Sequence, residues 1–89
     1  MANPAIVAAA ADQWNLIASG VTNGQVHRKD TSPSVYLQTY RSAGDPAPTD
    51  KSEGVQVFVA GDQADIAATS AIDVYLYPVG SDGAVRVDL

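Results

Sequence analysis

Ala71-Ile-Asp-Val-Tyr-Leu-Tyr-Pro-Val-Gly-Ser-Asp-Gly-Ala-Val-Arg-Val-Asp-Leu89 is the stretch that decides the fold class. Ile72, Val74 and Leu76 alternate with Asp73, Tyr75 and Tyr77. After a Gly-Ser-Asp-Gly turn, Val85, Val87 and Leu89 alternate with Ala84, Arg86 and Asp88. Strict alternation around a glycine-rich turn reads as a β-hairpin with one aliphatic face. A two-residue loop at Asp82-Gly83 sets Leu76 opposite Leu89, and a four-residue loop from Gly80 to Gly83 sets Leu76 opposite Val87. Both even loops put all six aliphatic residues on one face, whereas a three-residue loop sets Leu76 against a charged residue. The reading therefore expects a buried aliphatic layer, Leu89 included, and the rest of the chain has to supply its cover.

With 89 residues there is room for one domain. A chain of this length buries roughly 60–65% of the surface it exposes when unfolded, so its stability margin is thin. No cysteine is present for a disulfide, and His27 is the only histidine, so a Cys/His zinc site is excluded. Oligomerisation is the remaining common source of stability for so small a body.

Ten acidic residues against five basic ones give a net charge of −5, which disfavours a nucleic-acid phosphate backbone or an anionic membrane surface as partner. Arg28 and Lys29 are adjacent, but Asp30 follows and no aromatic residue interleaves with them. The apolar run Ala5–Ala11 is short, mostly alanine and preceded by no basic residue, unlike a signal peptide or a membrane span. The expected setting for folding is a reducing cytoplasm.

Residues 1–13 fit either a short helix, with Asn3-Pro4 as cap and first position, or an arm that orders on a neighbouring subunit, or a frayed terminus. From Trp14 onward the pattern is β. Trp14, Leu16 and Ala18 share a face, and Asn23-Gly24 is the strongest short-range hairpin signal, which would set Val21 against Val26. The alternation is imperfect there, because Ile17 falls opposite Trp14. After a polar turn at 29–34, Val35 to Arg41 carries apolar bulk on both faces. Ser42 to Gly54, with two prolines and two glycines and no apolar period, reads as a long loop, of the kind that is often functional or ordered by a partner. Val55 to Ala60 reads as a strand, and Ile66 to Ser70 as a short stretch leading into the final hairpin. The sum is an all-β fold: a small β-sandwich or barrel-like jelly-roll of about six to seven antiparallel strands over 14–89, with 1–13 as an N-terminal arm.

The inventory for catalysis is sparse. Nucleophilic catalysis needs a Ser, Cys or Thr beside an oriented base, and His27 has no nucleophile motif near it. Asp62 and Asp65 lack the dense spacing of an EF-hand loop, and Asp82 is explained by its turn. No catalytic, cofactor-binding or metal-ligating residue is assigned, and the chain is read as a non-enzyme. Among the aromatics, Trp14 and Phe58 read as core anchors. Tyr36, Tyr40, Tyr75 and Tyr77 read as a contact stripe, favouring a subunit or partner interface over a sugar site, because tyrosine combines apolar area with a polar tip.

Thr31-Ser-Pro-Ser-Val-Tyr-Leu-Gln-Thr-Tyr-Arg41, Ser52-Glu-Gly54, Ile72-Asp-Val-Tyr-Leu-Tyr77 and Val85-Arg-Val-Asp-Leu89, with the opening Trp14-x-Leu-Ile-Ala-Ser-Gly20, carry a resemblance. Over Trp14 to Leu89 the chain resembles the small virion structural proteins of tailed bacteriophages. These are framework patterns, and no functional residue transfers with them. The resemblance implies a capsid decoration or cement protein on the outer surface of the major capsid shell, forming a symmetric homo-oligomer such as a trimer. Its partners would be the major capsid protein or other virion proteins, with no nucleic acid and no membrane, and its location the virion after assembly in the host cytoplasm. Ala5–Ala11 and the loop Ala43–Glu53 would touch the shell. The alternatives are a tail, head–tail connector or fibre-associated protein, or a receptor- or carbohydrate-binding module.

Overall fold

The computed structural model describes residues 5–28, 35–54, 56–58 and 61–88. Their strands are β1 (Ala5–Ala9), β2 (Asn15–His27), β3 (Tyr36–Ser42), β4 (Gln56–Phe58), β5 (Gln63–Pro78) and β6 (Gly83–Asp88), with one 3₁₀ turn at Lys51–Glu53. All pair antiparallel in one sheet of order β1-β6-β2-β5-β3-β4, curled into a half-barrel. The all-β expectation holds. The two stacked sheets of a sandwich or jelly-roll are not formed by the described residues, which curl a single sheet around one core instead.

The aliphatic layer is where the alternation put it. Val74, Leu76, Val85 and Val87 are all 3% exposed or less, and they pack with Val26, Tyr36, Phe58 and Ile66. Each such side chain contributes about 1.5–3 kcal/mol by leaving water, which makes this layer the main source of stability. The expected final hairpin, however, is not formed. β5 and β6 lie on opposite sides of β2, and both run antiparallel to it: Val26 sits between Ala64 of β5 and Val87 of β6. Residues 79–82 turn a corner across the core. The amide of Val79 donates to Val35 O, that of Gly80 to Asp12 Oδ1, and Asp82 Oδ1 accepts from the Ala11 amide. Gly80, at φ +88°, takes a conformation that suits glycine. Inward parity is the same for a hairpin and for a corner, so alternation alone does not specify the partner strand. Leu89 lies outside the described residues.

The Asn23-Gly24 hairpin is likewise replaced. β2 runs unbroken through both residues, pairing Asn23 with Ala67 and Gly24 with Ile66. Its long partner is β5, which absorbs Ile66 to Ser70 as well as Ile72 to Pro78. Register shifts mark where this ribbon bends. Leu16 opposes Tyr75 and Ala18 opposes Val74, so Ile17 is an extra residue, and Ile17 and Ala18 are both buried despite being neighbours. A bulge of this kind re-aims one side chain and strengthens the local twist. The broken alternation at Ile17 is that bulge.

Residues 5–9 belong to the sheet and are no free arm. Ala5 pairs with Val87, Val7 with Val85 and Ala9 with Gly83. Ala9 is buried. Asn15 holds the following turn, accepting from the Ala10 amide and donating to the carbonyls of Ala10, Gln13 and Leu76. Residues 1–4 and the polar turn at 29–34 lie outside the described residues, as do Val55 and Val59. The strand expected at 55–60 is represented by β4, whose Phe58 is fully buried opposite Tyr36.

Candidate functional site

The four tyrosines do not form one surface. Tyr36 is 1% exposed, facing the core. Its ring lies 3.7 Å beneath the Arg28 guanidinium, and its hydroxyl accepts from the Ala84 amide. Arg28 is itself fully buried and donates to Phe58 O at 3.0 Å. Tyr75 is buried on the opposite face. Tyr77, half-buried, meets Trp14 edge-on with ring centroids 5.3 Å apart. Trp14 is therefore a cover on the outer face of the sheet and not a core anchor, with its Nε1 donating to Asp50 O. Tyr40 alone of the four projects into solvent, at 54% exposure.

The Ser42–Gly54 excursion is tied down by its own chain. Asp50 caps the 3₁₀ turn through the Ser52 amide, while the Glu53 carboxylate accepts from the amides of Asp50 and Thr49 and pairs with Arg41. These amides, and then the Arg41 guanidinium, hold the Glu53 carboxyl below its usual range. Asp73 is the second anchor. It accepts from the Gly20 amide, the Ser19 hydroxyl and the Gly44 amide, which together lower its pKa against the opposing effect of burial. One carboxylate thus pins the bulge of β2 and the start of the excursion to β5.

Besides the outer edge of the three-residue β4, two features of the described residues are open to a partner. The first is the outer edge of β1, with which no strand pairs among the described residues. Ala5-Ile-Val-Ala-Ala9 carries no charge and no proline, and Ile6 is 73% exposed. Long edges of this composition template strand addition, which soluble proteins usually block with charge. The second is a cleft of about 210 Å³ where β5 bends through 68–71 beside β3. Ile66, Ile72 and Val74 form its apolar wall, Gln38 and Tyr40 are its polar side chains, and Asp65 borders it while alternating with buried Ala64 and Ile66, which turns its carboxylate to the other face. Gln38 is 6% exposed, and its buried carboxamide oxygen has no donor among the described residues. Asp65 is exposed and accepts from Gln25 Nε2 at 3.2 Å.

The sequence reading placed Ala5–Ala11 against a shell as part of an arm, not as a sheet edge, and did not single out the cleft. A signal existed for Gln38, a polar residue at an inward position of a strand between Tyr36 and Tyr40. Ile6 was hidden in an alanine run with three readings. His27 lies beside Asp88, with Nε2 3.1 Å from Asp88 Oδ2 but without the alignment of a hydrogen bond, and Arg86 Nε donates to Asp88 Oδ1. Among the described residues no three His, Cys, Asp or Glu side chains converge as a metal site requires, and no helix is long and apolar enough to cross a membrane. The described geometry is suited to binding through an edge and a cleft. Compared with known proteins, the chain matches no family, no curated protein and no solved structure.

Proposed function

We propose that this protein is a non-enzymatic assembly module that acts by strand addition, and that it decorates a phage capsid by pairing the edge of β1 with a strand of the shell protein. The supporting observation is the uncharged edge Ala5–Ala9 with Ile6 exposed. Main-chain hydrogen bonds along such an edge give affinity, and alternate side chains give specificity. In this reading the half-barrel is completed into a fuller β-architecture only on assembly, and the shell contact falls on β1 in place of a loose arm. The tyrosine set carries no part of the proposal, since Tyr36 and Tyr75 are buried.

Ile6→Lys tests it. A charge on the free edge is expected to abolish attachment of the purified protein to shells assembled without it, with the melting temperature unchanged within a few degrees. Undiminished attachment overturns the edge as the contact. Copy number in purified particles, by mass spectrometry, separates the head role, with hundreds of copies, from a tail or connector role with a handful.

A further inference from the structure

The hydrogen-bonding pattern of β1 decides what its outer side offers. The Ala84 amide donates to the Tyr36 hydroxyl and is not spent on β1. In an antiparallel pair, residues that exchange hydrogen bonds alternate with residues that do not. The bonds to β6 therefore fall on Ala5 with Val87, Val7 with Val85 and Ala9 with Gly83. The same parity turns the Ala11 amide towards the end of β6, where it donates to Asp82 Oδ1. Ile6 and Ala8, both exposed, are left with N–H and C=O groups aimed away from β6, where no strand meets them among the described residues.

An edge with this spacing is complementary to its own copy. When two copies are laid antiparallel about a two-fold axis at Val7, the N–H and C=O of Ile6 meet the C=O and N–H of Ala8 of the second copy, and the reverse pairing follows by symmetry. The side chains fit the same register. On the outer face exposed Ile6 lies across from small Ala8. On the inner face Val7, half-buried against the core, meets its counterpart at a non-hydrogen-bonded position, where side chains come closest, and the aliphatic layer runs on from Val85 through the two valines. A seam of five residues a side is smaller than the roughly 1,200 Å² that stable complexes bury, so the pairing is reversible. We propose that the free protein forms a two-fold dimer through β1 with its axis at Val7, the two six-stranded sheets joined into one. The dimer occupies the edge that the proposed function gives to the shell, so on that reading it is a resting form that opens before attachment.

The chain has no cysteine, so single introduced cysteines report the register cleanly. Under copper-catalysed air oxidation, Val7→Cys is expected to cross-link at least about tenfold faster than Ile6→Cys or Ala8→Cys alone. Counterparts at the axis have Cα atoms about 4.5 Å apart, whereas each of the others lies diagonal to its own counterpart at about 7–8 Å, beyond the reach of a disulfide. Mixed together, Ile6→Cys and Ala8→Cys are expected to join as a heterodimer. Random collision would give the opposite order, since position 6 is more exposed than position 7. Sedimentation velocity of the full chain is expected to show dimer growing between about 10 μM and about 1 mM, as a small interface implies, and more of it at high salt, which screens the repulsion between two copies of net charge −5. Ala8→Pro removes an outward N–H and leaves the bonds to β6 in place, so it is expected to be a folded monomer at every concentration. A monomer throughout, a trimer, open-ended growth, or cross-linking that follows exposure overturns the dimer. An Ala8→Pro chain that stays dimeric, or that unfolds because its amide was spent on β6, counts the same way. The shell contact is judged apart: a dimer with attachment that survives Ile6→Lys refutes the shell contact alone, and a monomer with attachment lost in Ile6→Lys refutes the dimer alone.

Discussion

Gly83→Ala is expected to destabilise a strand in which the same change would ordinarily help. In a strand interior, alanine is favoured over glycine by roughly 0.5–1 kcal/mol, because glycine loses more backbone freedom on folding. At position 83 a Cβ would stand 2.8 Å from Cε1 of Tyr36 and closer still to its Cζ and hydroxyl. The ring has little room to retreat. It is 1% exposed, lies under the Arg28 guanidinium, and shares its face with the fully buried Phe58 and Pro78 across the neighbouring strands. Overpacking a filled core costs about 1–3 kcal/mol, and contacts this close belong to the upper part, about 2–3 kcal/mol, of which the alanine advantage takes back about 0.5–1 kcal/mol. A net loss of about 1–2.5 kcal/mol follows, against a total of roughly 4–13 kcal/mol for a chain of this length. The melting temperature should fall by about 5–20 °C. Urea unfolding, read by Trp14 fluorescence and by circular dichroism, measures the loss. The same substitution in a Tyr36→Leu background supplies the decisive comparison: with the aromatic ring gone, the penalty at 83 should vanish. A neutral Gly83→Ala, or an equal penalty in both backgrounds, refutes the close approach of Tyr36 to β6 as its cause.

Leu76→Ala should cost about 2–5 kcal/mol because the side chain is fully buried, whereas Leu16→Ala, at 49% exposure, should cost under about 1 kcal/mol; paired urea midpoints check the contrast. Asp73→Asn should flatten the acid limb of the stability profile. The folded pKa of Asp73 lies below its usual 3.8, so its contribution is present above that value and is lost as pH falls through the folded pKa; thermal melts from pH 7 to 2 should show the wild type losing more stability in that window than the variant. Arg28→Lys should lower stability by about 1–2 kcal/mol, because an ammonium does not reproduce a planar guanidinium stacked on Tyr36 while bonded to Phe58 O; an unchanged urea midpoint would rule this out.

The inward faces of the strands were legible, because burial acts on every second residue wherever the chain is extended: Val74, Leu76, Val85 and Val87 were placed correctly one by one. Which strand lies beside which was not, since β6 satisfies the same pattern against β2 as against β5. Asn23-Gly24 shows the limit of local turn chemistry. Its preference for a tight turn amounts to little beside a sixteen-residue partner strand that pairs on through both residues. The excursion at 42–54 was legible as irregular but not as ordered, because its ties depend on Arg41, Asp73 and Trp14, none of which a reading of the loop alone would enlist. Of the open features, Ile6 became visible only when β6 took up one side of its strand. Gln38 became visible only when the bend of β5 opened a space beside it.

Pairing Ala5 with Val87 joins two strands that lie far apart along the sequence. Among the described residues β1 has no neighbour in the sheet other than β6, so it stays without its lateral hydrogen bonds until β6 has been made. Closure of so large a loop is slow relative to local hairpin formation. In the interval Ile6 and Val7 sit on an unprotected apolar ribbon with two free sides, and chaperone capture or mispairing between nascent chains would be concentrated there.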